Sequence, residues 1–136
     1  MSNGIRVLLI DDETSFSDSL AKVLSRRGMN VESAPDGQKA LLMLADKEFD
    51  VIVLDLRMPG MDGLATLRRI KESSAQTPVI FLTGYVDSSQ LLEAVEDGAV
   101  EVLFKPCPVG TLVRSIENAF ESKELATELA KKAVVP

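Results

Sequence analysis

Four short apolar runs divide the chain: Val-Leu-Leu-Ile at 7–10, Val-Ile-Val-Leu at 51–54, Val-Ile-Phe-Leu at 79–82 and Val-Leu-Phe at 102–104. The first three show no polar alternation, which predicts strands of a parallel sheet covered on both faces. A weaker run at 30–34 puts Met29, Val31 and Ser33 on one face and predicts an edge strand. Helical periodicity fills the gaps. Phe16, Leu20, Val23 and Leu24 form one stripe, ended by Gly28. A second helix is expected over about 37–47, with Ala40, Leu41 and Leu44 inward, and a third carries Leu64, Leu67 and Ile70 behind an Asp62 cap. The fourth carries Leu91, Ala94 and Val95 before Gly98, and the last carries Leu112, Val113, Ile116 and Phe120. Five strand–helix units in succession imply an α/β fold with right-handed crossovers. No repeat, low-complexity segment or internal linker interrupts them.

Composition narrows this further. A chain of 136 residues suits one domain, and 46% hydrophobic content excludes a disordered chain. Only 4% is aromatic, so the core must be mainly aliphatic. The single cysteine, Cys107, allows no internal disulfide and suits a reducing, cytoplasmic compartment. No apolar run approaches a membrane span, and the N-terminus reaches Asp11 and Asp12 too soon for a signal peptide, so no membrane contact is expected. The net charge of -6, with no basic patch, argues against direct nucleic-acid contact.

In open parallel sheets, ligands gather beyond the carboxyl ends of the strands, near the topological switch point. The strands here end in Asp11-Asp12-Glu13, in Asp55, in Thr83-Gly84 and in Lys105-Pro106. Asp11, Asp12 and Asp55 would fall on adjacent strands. Two like charges about 4 Å apart repel by about 4 kcal/mol at an effective dielectric of about 20, so such a group calls for counter-charge. A hard divalent cation such as Mg²⁺ supplies it, and Lys105 adds a movable ammonium. Thr83 offers a hydroxyl, and Gly84 lets its backbone N–H come close to a ligand. Together these suit a carboxylate nucleophile attacking phosphorus. Each alone is ordinary. An Asp pair caps helices, Asp55 could open the turn before Met58-Pro59-Gly60, and Asp62-Gly63 reads as cap and turn. The coincidence at four strand ends is what points to a site.

These motifs resemble the response-regulator receiver domains of two-component signalling. The resemblance runs from about Ile5 to Phe120. It rests on Val-Leu-Leu-Ile-Asp11-Asp12, Val-Leu-Asp55-Leu-Arg-Met-Pro-Gly-Met-Asp-Gly, Phe-Leu-Thr83-Gly-Tyr and Phe-Lys105-Pro106. It implies a doubly wound, flavodoxin-like sheet of five strands in the order 2-1-3-4-5, flanked by five helices. It implies Asp55 as phosphoacceptor. It implies Mg²⁺, or Mn²⁺ in its place, on Asp12, Asp55 and the backbone carbonyl of Arg57, with Asp11 acting through water. Thr83 matches the hydroxyl that moves onto the phosphoryl group, which Gly84 and Lys105 also bind, and the Lys105–Pro106 bond is expected to be cis. The partners implied are a histidine kinase or phosphotransfer protein and an output domain or protein. The chain would be a signalling switch that catalyses only its own phosphorylation and dephosphorylation.

One position departs from the family. Three residues before the lysine, where Tyr or Phe usually stands, this chain has Val102. The relay is therefore expected to run from Thr83 through Tyr85. On the first helix, Ser15, Ser19, Lys22 and Arg26 form a polar stripe that, with Cys107 and Pro108, is expected to set kinase choice. Residues 1–121 are read as the receiver and 122–136 as a helical extension or linker, rich in Ala, Leu, Glu and Lys. The chain is read as either a stand-alone regulator or the receiver portion of a longer protein. A haloacid-dehalogenase-type phosphohydrolase is the nearest rival, but its nucleophile belongs in an Asp-x-Asp pattern on the first strand, where this chain has Asp11-Asp12-Glu13. A receiver-like module that is never phosphorylated would not need the full set of site residues. Nucleotide binding lacks a Gly-rich loop after the first strand.

Overall fold

The computed structural model describes residues 4–58, 60–84 and 88–132. Strand and helix alternate from end to end: β1 (Arg6–Ile10), α1 (Thr14–Arg26), β2 (Asn30–Ala34), α2 (Gly37–Asp46), β3 (Val51–Leu54), α3 (Gly63–Ser73), β4 (Val79–Thr83), α4 (Ser88–Glu96), β5 (Glu101–Phe104) and α5 (Val109–Lys132). The strands form one parallel sheet, as the apolar runs predict, in the order β2-β1-β3-β4-β5 that the family resemblance implies.

The unalternating runs become β1, β3 and β4, buried on both faces. Successive residues of a strand point to opposite faces, so each strand feeds two cores. Leu8, Ile10, Ile52, Leu54 and Phe81 pack toward Ala40, Leu67, Ile70 and Ala94. Val7, Leu9, Val51, Val53, Ile80 and Leu82 pack toward Leu24, Leu112 and Ile116. Each fully buried aliphatic side chain contributes about 1.5–3 kcal/mol. The outer strands β2 and β5 are mixed in exposure, which fits their place at the sheet edges.

Local signals set the helix ends. Asp36 and Asp62 accept hydrogen bonds from the N–H groups of Lys39 and Ala65, each at 2.8 Å, so the expected Asp62 cap is formed. Gly28 and Gly98 take left-handed φ angles of 91° and 105° just past α1 and α4, where other residues would be strained.

Two helices differ in detail from their sequence pattern. In α4 only Ala94 is buried, while Leu92 and the expected core residue Val95 are 61% and 57% exposed. Arg68 of α3 bridges to this helix, donating to Asp97 at 2.8 Å and Glu93 at 3.0 Å. The α5 helix runs unbroken to Lys132, but its buried residues stop at Ala119 and both Leu125 and Leu129 are exposed. Among the described residues, no helix is long and apolar enough to cross a membrane.

Candidate functional site

The sheet ladder itself places the site. β1 and β3 pair with Ile10 opposite Leu54, and the next backbone bond runs from the Asp55 N–H to the Ile10 carbonyl at 3.0 Å. The Asp11 N–H reaches the Ala34 carbonyl at 3.1 Å, and the Lys105 N–H reaches the Thr83 carbonyl at 2.8 Å. Asp11, Asp55 and Lys105 are thus each fixed one step beyond the hydrophobic strand that carries them, on rigid backbone. β1 is also where the strand order reverses, the switch point expected to gather ligands.

Carboxylate oxygens of Asp11, Asp12 and Asp55 all lie within 4.8 Å of one another. Asp11 and Asp55 are buried, and Asp12 faces solvent. Lys105 enters from the end of β5. Its Nζ lies 2.8 Å from Asp11 Oδ2, 3.4 Å from Glu13 Oε1 and 3.9 Å from Asp55 Oδ2, and 4.2 Å above the Phe16 ring. The ammonium therefore stands nearer to Asp11 than to Asp55.

The charges respond to this crowding. Burial pushes the Asp55 carboxyl above its ordinary range, and the charge of Asp11 adds to it. The hydrogen bond from Thr83, the charge of Lys105 and the Arg57 N–H only partly offset that rise. Burial alone would lower Lys105, but its bond to Asp11, the charges of Asp11 and Asp55 and its bond to Glu13 raise it, so it stays an ammonium. Three carboxylates facing one ammonium leave room for a further cation. The donor set is all hard oxygen, which fits Mg²⁺ rather than a thiolate-seeking metal.

Every described residue expected to take part in the chemistry is present at this end of the sheet. Thr83 is fully buried and hydrogen-bonded to Asp55. Gly84 is exposed, with nothing within 4 Å of where a Cβ would stand. Arg57, Asp12, Asp62 and Gln90 border an open cleft of about 420 Å³. Ser15, Ser19, Lys22 and Arg26 are all exposed on α1, Cys107 is half-buried and Pro108 is exposed. The Lys105–Pro106 bond is cis. Val102 is half-buried against the core shared by α2, α3 and α4. Tyr85, the expected relay residue, lies outside the described residues.

Glu13, Phe16 and Gly63 also belong to the site and were not singled out for it by sequence. Gly63 opens α3 against the site loop, where a Cβ would come within 2.4 Å of the Asp55 carbonyl oxygen. The signal for Gly63 was the Asp62-Gly63 pair, which reads as an ordinary cap. A larger cavity, about 670 Å³, lies at the opposite end of the sheet beside Arg6, Asn30 and Phe49. Of its charged lining residues, Lys47 is paired with Glu32 and Arg6 with Asp50 beside the cavity, and among the described residues it holds no cluster of carboxylates like that at the other end.

Residues 7–117 match the sequence model of the response regulator receiver domain. The chain belongs to that family. Its relatives include the C4-dicarboxylate transport transcriptional regulatory protein DctD of Rhizobium meliloti, 34% identical over 128 residues, covering 94% of this chain and 28% of that protein. NtrX from Brucella abortus, solved with ADP, superposes with a TM-score of 0.88 at 30% identity, over 96% of this chain and 30% of that one. The chemotaxis protein CheY4 of Vibrio cholerae superposes with a TM-score of 0.81 at 30% identity, over 85% of this chain and 98% of that one. This receiver domain therefore spans little more than a quarter of the curated relatives it matches. It is a signalling module rather than a conventional enzyme, and receiver domains generally use Mg²⁺, for which the acidic trio offers ligands.

Proposed function

We propose that Asp55 is the phosphoacceptor of this receiver domain. The donor is the phosphohistidine of a histidine kinase or phosphotransfer protein, and the product state is read by an output domain or protein. The observation that carries this reading is the convergence of three carboxylates within 4.8 Å of one another, with Lys105 and Thr83 beside them.

An Asp55 oxygen forms the new O–P bond as the P–N bond breaks and the imidazole leaves with the electron pair. Lys105 moves its ammonium from Asp11 toward the transferred oxygens, while the Thr83 hydroxyl and Gly84 N–H donate to them. Asp12, Asp55 and the Arg57 carbonyl would hold Mg²⁺, with Asp11 acting through water. The ion would supply neutralisation of negative charge on the phosphoryl group. The same groups would serve the domain's own dephosphorylation. The exposed stripe Ser15, Ser19, Lys22 and Arg26, with Cys107 and Pro108 beside the Lys105 loop, would set the choice of kinase.

The reading places the domain in the cytoplasm, with residues 1–121 as the switch and 122–136 as the arm to an output. NtrC of Salmonella typhimurium, 37% identical over 119 residues, is a DNA-binding transcriptional regulator, so a separate DNA-binding output fits this receiver. The test is intact-mass spectrometry after incubation with acetyl phosphate. Wild type should gain one phosphoryl group only with Mg²⁺ or Mn²⁺, and Asp55→Asn should gain none. Equal labelling of both proteins would remove Asp55 from this role.

A further inference from the structure

The inward stripe of α1 is Ser17, Leu20, Ala21 and Leu24, at helical spacing, and its first position is a serine. Ser17 is only 3% exposed, and its Oγ is buried with no hydrogen-bond partner. Buried hydroxyls are nearly always satisfied, because an unsatisfied one loses its water without replacement. Ser17 lines a cavity of about 10 Å³ between α1 and the sheet, together with Leu9, Phe16, Val53, Asp11 and Asp55. That volume is about the room one water molecule needs.

Ser17 Oγ forms no hydrogen bond to either carboxylate of the cavity. The carboxylates only accept hydrogen bonds when ionised, and they repel each other. A water molecule resolves this. It can accept the Ser17 O–H and donate one proton to each carboxylate, which puts a neutral, doubly donating molecule between two like charges.

We infer that this cavity is a site for a single water molecule bridging Ser17 to Asp11 and Asp55, and that Ser17 is thereby a positioning residue for the phosphoacceptor. The positioning role rests on Asp55 being the nucleophile. The water site itself does not. With the water in place, the buried face of the Asp55 carboxylate is held by a donor on the core side, and its other face is left for the phosphoryl group.

Three measurements on the full chain test this. A crystal structure finer than about 2 Å should show one ordered water within hydrogen-bond distance of Ser17 Oγ and at least one of the two carboxylates. Ser17→Ala should lower the urea midpoint, and the drop should shrink in an Asp55→Asn background, because the shared water couples the two sites. Ser17→Ala should also slow acetyl phosphate labelling by about 2- to 10-fold, the effect of one net hydrogen bond. A dry hydroxyl gives the opposite sign: Ser17→Ala would raise the urea midpoint, which would overturn the water site whether or not Asp55 is labelled. A lowered midpoint with an unchanged labelling rate would overturn the positioning role. Failure of wild type to label at Asp55 would instead overturn the phosphoacceptor assignment and leave the urea result readable.

Discussion

Gly63 is the position where a single methyl group should disturb the site most specifically. It is the first residue of α3, and its N–H donates to the Leu56 carbonyl at 3.0 Å. A Cβ there would stand 2.4 Å from the Asp55 carbonyl oxygen and 2.5 Å from Leu56 Cα, both backbone atoms with no rotamer to give way. Real Cβ contacts do not fall below 3.0 Å, so the two backbones must part, and the loop that moves carries Asp55. Overpacking of this kind costs about 1–3 kcal/mol. In a domain of this size that lowers Tm by roughly 3–15 °C. A displaced nucleophile should lose more than the folded fraction does, since a misplacement near 1 Å costs on the order of 100-fold. Gly63→Ala should therefore label with acetyl phosphate roughly 10-fold or more slowly at a temperature where it is fully folded. Gly110→Ala is the control. Gly110 lies in the first turn of α5 with nothing within 4 Å of its missing Cβ, and alanine there should be neutral or stabilise by about 0.5–1 kcal/mol. Thermal melts and initial labelling rates decide the matter. A Gly63→Ala protein with wild-type Tm and wild-type rate would refute the steric account.

Other consequences are open to equally direct measurement. Asp50 takes hydrogen bonds from the Arg6 backbone N–H at 2.8 Å and from two Arg6 guanidinium nitrogens. Burial works to raise its pKa, but the Arg6 bonds prevail and hold it below the usual range. A depressed carboxyl stabilises the fold fully above its unfolded pKa, about 3.9, and loses this as pH falls through the lower folded value. Asp50→Asn should thus cost about 1–3 kcal/mol in urea unfolding at pH 7, a gap that narrows below about pH 4; a pH-independent gap would show that the charge is not involved. Lys22→Glu should slow phosphotransfer from the cognate kinase while acetyl phosphate labelling stays at the wild-type rate, and equal slowing with both donors would indicate a folding defect. In hydrogen exchange, residues 112–120 of α5 should be strongly protected and residues 124–132 weakly, because burial in that helix ends at Ala119. Protection of 124–132 that is lost on dilution would reveal a dimer seam instead.

The sheet was legible because its central strands announce themselves. Residues 7–10, 51–54 and 79–82 are apolar without alternation, and only burial on both faces explains that pattern. The acidic and basic ends of the strands were legible for the same reason, since a strand held in register also holds the residue just past its end. Contacts that depend on how separate elements meet were harder to see. Glu13 and Phe16 look like an ordinary helix start, yet both touch Lys105, which lies about ninety residues away in sequence. Val95 has core chemistry but sits on the outer side of a nine-residue helix in which only Ala94 is buried. Ser17 could have been found: it occupies a core slot three, four and seven residues before Leu20, Ala21 and Leu24. Its place in a Ser-rich stretch hides it.

The α5 helix gives the molecule a mechanical asymmetry. Its start, at Val109, comes just after the Lys105 loop at the functional end of the sheet, and it runs back toward the other end. At about 1.5 Å per residue its 24 residues measure about 36 Å, roughly twice the length of the five-residue strands beside it. Its first half is anchored in the core by Leu112, Val113, Ile116 and Ala119, and beyond Ala119 the helix projects with no fully buried residue. A bend of about 10° just past Ala119 would swing Lys132 through roughly 3 Å, over the last 20 Å or so of helix. The packed half stays fixed in the core, so any such movement is confined to the exposed end of the helix.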